Sequence, residues 1–203
     1  WGTRSRRLRD TLCGRAKAST SEETLYRWAG ISGAVNILVV GGGGREHCIV
    51  ETLRRSDADV LAVMGNQNPG IRRAAKESVI HDVTDAAWIV DWARTKGADL
   101  AVVGPEAPLA SGLVDALDAA GIPAVGPTRA AAQIETNKEF AHDLLRDHRI
   151  PGLIDYWAFD DLPTFEAWLR DCEIELVVKP LGLTGGKGVK VMGDHLADYA
   201  EVL

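Results

Sequence analysis

The chain has 203 residues, of which 46% are apolar, and its formal net charge is -6 at pH 7. This size and composition support one large globular domain or a domain and a fraction. No apolar run approaches the roughly 20 residues of a membrane span, which excludes a membrane-spanning segment. Basic residues outnumber acidic ones only in the first 35 positions, so the acidic remainder disfavours general nucleic-acid binding.

Residues 1–34 differ from the rest of the chain, because they are rich in Arg and have no sustained hydrophobic periodicity. We predict that they form a disordered or non-native tail. The three cysteines, Cys13, Cys48 and Cys172, are odd in number and far apart. They predict neither a disulfide framework nor a zinc site, so we expect a reducing, cytoplasmic setting.

From residue 36 short apolar runs alternate with amphipathic segments. Continuous apolar strands that alternate with helices are typical of a parallel sheet covered on both faces, so the fold class predicted is α/β with a Rossmann-like sheet over residues 36–134. The predicted strands span 36–40, 60–64, 78–80, 99–103 and 122–125, and the predicted helices span 45–54, 85–95 and 109–120.

A second unit is predicted over residues 137–203, with helices at 138–148 and 162–170. Strands at 175–179 and 189–192 flank a glycine-rich loop, and the chain stops at Leu203 inside a further apparent helix. This unit has too little sheet to be a complete domain.

Four turn motifs follow the strands of the first unit, at 41–47, 65–70, 104–108 and 126–128. Ligands of parallel sheets bind beyond the carboxyl ends of the strands, which is where these motifs fall. The motif at 41–47 is not a dinucleotide fingerprint, because Glu46 stands where the third glycine belongs and Met64 ends the second strand without an acidic residue. A single phosphate near Arg45 at the helix start stays compatible with it.

Each of these loops also has a structural interpretation. Arg45 and Glu46 are compatible with a surface ion pair, His47 with an ordinary helix residue, and the segment 66–68 with a simple turn. Glu106 is held between two prolines at a strand end, which favours a fixed carboxylate that binds hydroxyl groups or an amine.

The segment 177–189 combines a β-branched run with glycines and two lysines, Lys179 and Lys187. Glycines let backbone N–H groups approach an anion, and the lysines supply positive charge. Because Gly188 follows Lys187 and a strand pattern resumes, the segment is not a Walker loop but a phosphate-binding hairpin lid. An ordinary glycine-rich turn is the alternative.

Taken in order, these motifs closely resemble the phosphoribosylamine–glycine ligase family, whose members are ATP-grasp enzymes of purine synthesis. The resemblance covers residues 36–203 and rests on the segments at 43–47, 65–70, 103–109, 126–128 and 137–140, on Val178-Lys179-Pro180, and on the run from Thr184 to Gly188.

The resemblance implies that ATP phosphorylates glycine and that 5-phosphoribosylamine attacks the glycyl phosphate to form an amide. It implies small-molecule partners, ATP and Mg²⁺ as cofactors, with the metal ligands expected beyond Leu203 and none within this chain, and no nucleic-acid or membrane partner. No catalytic side chain is assigned, since the lid and lysines stabilise charge in phosphoryl transfer. The implied ATP-binding residues are Lys138, Lys179, Gly185, Gly186, Lys187 and Gly188, and the implied substrate-binding residues are Gly43, Gly44, Arg45, Asn68, Pro69, Gly70 and Glu106.

Members of this family continue well beyond this length, so we expect the 203-residue chain to be an inactive amino-terminal portion. The alternatives are another ATP-grasp ligase or carboxylase, and a non-enzymatic module that binds a phosphosugar or a nucleotide. The oligomeric state is left open.

Overall fold

A computed structural model describes residues 35–56, 58–182 and 187–202. The predicted tail over residues 1–34 lies outside the described residues, as do Gly185 and Gly186. The chain forms two compact units that meet in sequence between Ala131 and Ala132.

The first unit is built on a five-stranded sheet in which every pair of neighbouring strands is parallel. The order of the strands is β3-β2-β1-β4-β5, so the chain crosses over between β3 and β4 to return beside β1. This arrangement confirms the predicted Rossmann-like α/β class. The strands are β1 Asn36–Val40, β2 Asp59–Met64, β3 Glu77–Ile80, β4 Leu100–Val103 and β5 Ala124–Val125.

Helices connect these strands, and one prediction about them is wrong. The single helix predicted over 109–120 is two helices, because Gly112 has a φ of 86° and ends the first of them in a left-handed conformation. The helices are α1 Gly44–Leu53, α2 Pro69–Ala74, α3 Ala86–Thr95, α4 Glu106–Ser111 and α5 Leu113–Ala119; α6 Arg129–Thr136 follows β5, begins in the first unit and ends in the second.

The core of this unit lies on both faces of the central strand β1. Leu38, Val39 and Val40 are fully buried. Val39 packs in one cluster with Val50 of α1 and Ile71 of α2. Burying side chains of this size stabilises the fold by about 1.5–3 kcal/mol each, so the sheet is a rigid platform for the loops at its edge.

After α6, the second unit contains two further helices and a short antiparallel pair of strands. Asn137 and Asp161 cap the two helices by accepting backbone N–H groups with their side chains. The strands are shorter than predicted, and the apparent helix at the end of the chain is a 3₁₀ turn over Tyr199–Glu201. The helices are α7 Lys138–Asp147 and α8 Leu162–Arg170, and the strands are β6 Val177–Val178 and β7 Lys190–Val191.

Helices of the described ranges are all too short or too polar to cross a bilayer.

Candidate functional site

Three of the predicted loops meet at one edge of the sheet in the first unit. They follow β1, β2 and β4, and β1 lies between the other two strands. The gap between β1 and β4 is the point at which the strand order reverses, where ligands of open α/β sheets bind. Hydrogen bonds join the loop that follows β1 to both of the other loops and fix its shape.

Asn68 ties the loop after β2 to the loop after β1. Its side-chain nitrogen donates to the carbonyl oxygens of Gly42 at 3.1 Å and Gly43 at 3.3 Å. Its side-chain oxygen accepts the N–H groups of Gly70 at 2.9 Å and Ile71 at 3.2 Å, which caps α2. Pro69 is the first residue of that helix, where proline is favoured because a backbone N–H at this position would have no partner within the helix. The nitrogen end of the Asn68 amide therefore joins the two loops, and the oxygen end caps α2.

Glu46 is turned into the protein rather than toward solvent. Its residue is only 3% exposed, and its carboxylate accepts the Gly43 N–H at 2.7 Å and the Arg45 Nε–H at 3.0 Å. The first of these bonds is half of a capping box at the start of α1. The interpretation of Arg45 and Glu46 as a surface pair is therefore wrong, since one partner is buried.

Arg45 links the loop after β1 to the loop after β4. Its Nη2 donates to the carbonyl oxygen of Gly104 at 2.5 Å, while its side chain stays 62% exposed. Guanidinium groups suit this position because they present several donors in a fixed plane. The residue lies at the edge of the sheet, where the sequence predicted it.

Gly70 and His47 make a close contact between α2 and α1. A Cβ built at Gly70 would lie 2.1 Å from His47 Nε2, so only glycine allows the ring to lie there. His47 Nε2 is 3.7 Å from a carboxylate oxygen of Glu51, and its side chain is 37% exposed. The close contact explains why a glycine follows Pro69.

Glu106 begins α4 and is half-buried. Its carboxylate makes no hydrogen bond or ion pair with the described part of the chain. It therefore differs from Glu46, whose carboxylate is bonded within its own loop.

No N-cap side chain covers the first-turn N–H groups of α1, because Gly43 occupies the N-cap position. First-turn N–H groups that lack intrahelical partners attract anions. Gly44 is open on its outer side, with no atom within 4 Å of where a Cβ would stand. The outer side of this helix start is thus accessible to a small anion.

In the second unit β6 and β7 pair antiparallel, with Val177 opposite Val191 and Val178 opposite Lys190. The predicted hairpin is therefore present on both sides of its loop. Gly188 has a φ of 85°, a conformation that favours glycine. Lys187 and Gly188 are exposed. The lid function itself stays a prediction, since Gly185 and Gly186 lie outside the described residues.

A cavity of about 470 Å³ lies beside this hairpin within the second unit. Lys138 of α7 and Lys179 after β6 line it, together with aromatic side chains. Lys138 Nζ also donates to the carbonyl oxygen of Gly182 at 3.0 Å, which fastens the base of the hairpin to α7. Two of the predicted ATP-binding lysines thus lie at one cavity. Its aromatic wall includes Tyr156, Trp157, Phe159, Phe165 and Trp168.

Sequence reasoning missed a polar network at this cavity. The Tyr156 hydroxyl donates to Asp143 and accepts from Arg146 Nη1 at 2.9 Å. The hydrogen bond to Asp143 and burial raise the pKa of Tyr156 above its ordinary value. His142 stacks on the Tyr156 ring, with centroids 4.5 Å apart. The spacing of His142, Asp143 and Arg146 on one helix was the available signal, but nothing in it indicates the tyrosine.

Two solved structures have a fold similar to that of this chain. It matches N5-carboxyaminoimidazole ribonucleotide synthetase from Thermotoga maritima with a TM-score of 0.59 at 19% identity, over 78% of this chain and 40% of that one. It matches N5-carboxyaminoimidazole synthetase from Staphylococcus aureus complexed with ADP with a TM-score of 0.64 at 13% identity, over 78% and 41%. At these identities the likeness is one of fold.

Models of one protein family match nearly all of the described chain. Residues 35–135 match the N domain of phosphoribosylglycinamide synthetase, and residues 136–202 match its ATP-grasp (A) domain. The chain belongs to the phosphoribosylglycinamide synthetase family, as its motifs predicted.

Curated relatives agree with this assignment. The chain is 52% identical over 169 residues to phosphoribosylamine–glycine ligase of Methanothermobacter thermautotrophicus, and 48% identical over 167 residues to that of Thermococcus kodakarensis. The matches cover 83% and 82% of this chain and, in both cases, 38% of the relative.

Proposed function

We propose that residues 36–202 supply the phosphosugar site and the first part of the nucleotide grip of a phosphoribosylamine–glycine ligase. The observation that best supports this proposal is that the loops after β1, β2 and β4 converge at the point where the strand order reverses. The family membership of the chain supports the same conclusion. The proposed domain bounds are 36–134 for the substrate domain and 137–203 for the start of the ATP-grasp domain.

The reaction proposed has two steps. The glycine carboxylate attacks the γ-phosphorus of ATP, which forms glycyl phosphate and releases ADP. The amine of 5-phosphoribosylamine then attacks the acyl carbon, which forms the amide of glycinamide ribonucleotide and releases inorganic phosphate. Neither step requires a protein nucleophile, because positioning and charge stabilisation supply most of the catalysis in phosphoryl transfer.

The phosphate of 5-phosphoribosylamine is proposed to bind at the start of α1. Uncapped N–H groups and the Arg45 guanidinium favour an anion there. Asn68 holds the loops in place, and the half-buried Glu106, after β4, is proposed to bind the ribose hydroxyls or the amine. The full set proposed is Gly43, Gly44, Arg45, Asn68, Pro69, Gly70 and Glu106.

The phosphates of ATP are proposed to bind at the hairpin of the second unit. Lys138 and Lys179 line the same cavity, and both carry a charge that suits a polyphosphate. Lys187 and Gly188 lie in the loop and are exposed, which leaves them accessible to a ligand. Gly185 and Gly186 complete the proposed lid.

Magnesium is proposed to accompany ATP. No group of three or more His, Cys, Asp or Glu side chains in residues 35–56, 58–182 and 187–202 has the arrangement to hold a metal ion. Mg²⁺ bound with ATP would neutralise the negative charge that develops on the transferred phosphoryl group. The unpaired Cys48 and Cys172 are consistent with the cytoplasmic setting that we propose.

Isothermal titration of ATP into the full 203-residue chain tests the nucleotide grip. We expect Lys179→Ala to weaken ATP binding about tenfold or more, since hydrogen bonds to charged groups contribute about 1.5–3 kcal/mol. Lys190→Ala is the matched control, because Lys190 lies on β7 and does not line the cavity. Equal ATP affinity in the wild type and Lys179→Ala would contradict the proposed grip.

A further inference from the structure

Glu46 is the one charged side chain that is buried in the part of the chain that the structure describes. A carboxylate taken out of water is destabilising unless it is paired and hydrogen-bonded. Here the Gly43 N–H and the Arg45 guanidinium satisfy it, at 2.7 Å and 3.0 Å. A buried charge held in this way, in the first turn of α1, points to a role beyond packing.

Three glycines enclose this carboxylate. A Cβ built at Gly104 would lie 2.2 Å from Glu46 Oε1, one at Gly41 would lie 2.6 Å from its Cγ, and one at Gly43 would lie 2.7 Å from its Oε2. The loops after β1 and β4 are thus shaped around the Glu46 side chain. It fills the inner side of the loop, while Gly44 leaves the outer side open.

Position 46 is where the third glycine of a dinucleotide fingerprint would stand, counting from Gly41 and Gly43. In that fingerprint the second glycine lets the backbone approach a pyrophosphate, and the third lets the helix pack closely on the strand. Glu46 fills the space between helix and strand with atoms and negative charge, and its carboxylate takes up the N–H of Gly43, the second glycine. The same side chain orients Arg45, whose guanidinium reaches across to Gly104.

We propose that Glu46 is a positioning residue that sets the anion selectivity of this edge. Its carboxylate excludes a diphosphate from the inner side of the loop and holds Arg45 for a phosphate monoester on the outer side. This inference rests on the proposed phosphosugar site and adds the residue that determines its specificity.

The test uses ribose 5-phosphate and NAD⁺ as probes, titrated into the full chain with wild-type, Glu46→Gln and Glu46→Gly sequences. Wild type is expected to bind ribose 5-phosphate and to reject NAD⁺. Glutamine still accepts the Gly43 N–H but loses the ion pair with Arg45, so the affinity for ribose 5-phosphate should fall about tenfold or more. Glycine empties the inner space, so the affinity for NAD⁺ relative to ribose 5-phosphate should rise.

The ratio of the two affinities separates this role from a purely structural one. Partial unfolding lowers binding of both probes together and leaves the ratio unchanged, and that result would overturn the inference. Glu51→Gln, on the exposed side of α1, should alter neither affinity. If Glu46→Gly does not fold, the test rests on Glu46→Gln. A folded Glu46→Gln protein that keeps the wild-type affinity for ribose 5-phosphate would then be enough to overturn the inference. A wild type that binds no ribose 5-phosphate overturns the phosphosugar site and this inference with it.

Discussion

The two units of the chain bury their apolar side chains to very different extents. In the first unit the residues of β1 and β2 are almost entirely inaccessible, and only Ile80 and Val125 are large exposed hydrophobic residues among those described. In the described part of the second unit, Leu169 and Leu196 are the large residues in the core. Its large exposed hydrophobic residues are Ile134, Ile150, Ile154, Trp157, Leu162, Ile174, Val177, Leu181 and Val189.

Because of this difference, the two candidate sites are held in shape in different ways. The loops of the first unit are anchored on a close-packed sheet and on each other, so their geometry is set before any ligand arrives. Among the described residues, the hairpin of the second unit is held by a two-residue ladder, a Met192 N–H to Leu176 carbonyl bond and the Lys138 contact. Few buried contacts mean low local stability.

The largest effect expected from this comparison is at the centre of the first sheet. Leu38→Ala should lower the free energy of unfolding by about 2–5 kcal/mol, because Leu38 is fully buried. Ile154→Ala, in the second unit, should change it by about 0.5 kcal/mol or less, since Ile154 is 62% exposed. Urea unfolding followed by circular dichroism measures both. A large effect of Ile154→Ala would mean that the exposed face of the second unit is covered in solution.

A smaller effect is expected where the loops of the first unit press together. Gly104→Ala should destabilise the protein by about 1–3 kcal/mol, because the added methyl group overlaps the buried Glu46 carboxylate. Gly65→Ala is the matched control, since Gly65 also follows a strand directly and its nearest contact would be an ordinary 3.6 Å to Val83. Equal unfolding midpoints for the two variants would show that the edge is looser than its contacts indicate.

The smallest effect concerns the polar network of the second unit. The Asp143 hydrogen bond raises the pKa of Tyr156 in the folded state. The stability that this bond gives the folded state is therefore complete below the ordinary tyrosine pKa near 10.0 and is lost as pH rises through the higher folded value. Asp143→Asn should therefore lower the pKa of Tyr156 toward that ordinary value. Tyrosinate absorbance during a pH titration, in a background with Tyr26 and Tyr199 replaced by Phe, measures it.

Asp147→Asn is the control for this titration. Asp147 bonds Arg146 at 3.2 Å but does not contact the Tyr156 hydroxyl. An identical shift in both variants would mean that the charge of Arg146, rather than the hydrogen bond to Asp143, governs the tyrosine.

Hydrophobic periodicity predicted most of the first unit, since buried parallel strands have an unmistakable apolar pattern. It failed at the helix over 109–120, where the pattern runs through Gly112 although the backbone there turns left-handed. It also missed the short helix α2, which begins at a proline and a capping asparagine rather than at an apolar repeat.

The sequence placed the site loops correctly but not the direction of every side chain. A surface ion pair with Arg45 would leave Glu46 in solvent, whereas Glu46 faces inward because the Gly43 N–H and Arg45 both donate to it. Contacts of this kind depend on glycines from two different loops. No local pattern encodes them, so the buried carboxylate and the Tyr156 network became visible only in three dimensions.

Gly112, with its left-handed backbone, separates the helical segment that follows β4 into two pieces. The piece carrying Glu106 spans fewer than two turns, whereas Leu113, Val114 and Leu117 in the next piece are sealed against the sheet. Pro108 and Leu109 of the first piece are also buried, so only its remaining positions, 106, 107, 110 and 111, lie outside the core. Replacements at those four positions, among them the proposed ligand residue Glu106, are expected to be tolerated better than replacements at Leu113, Val114 or Leu117.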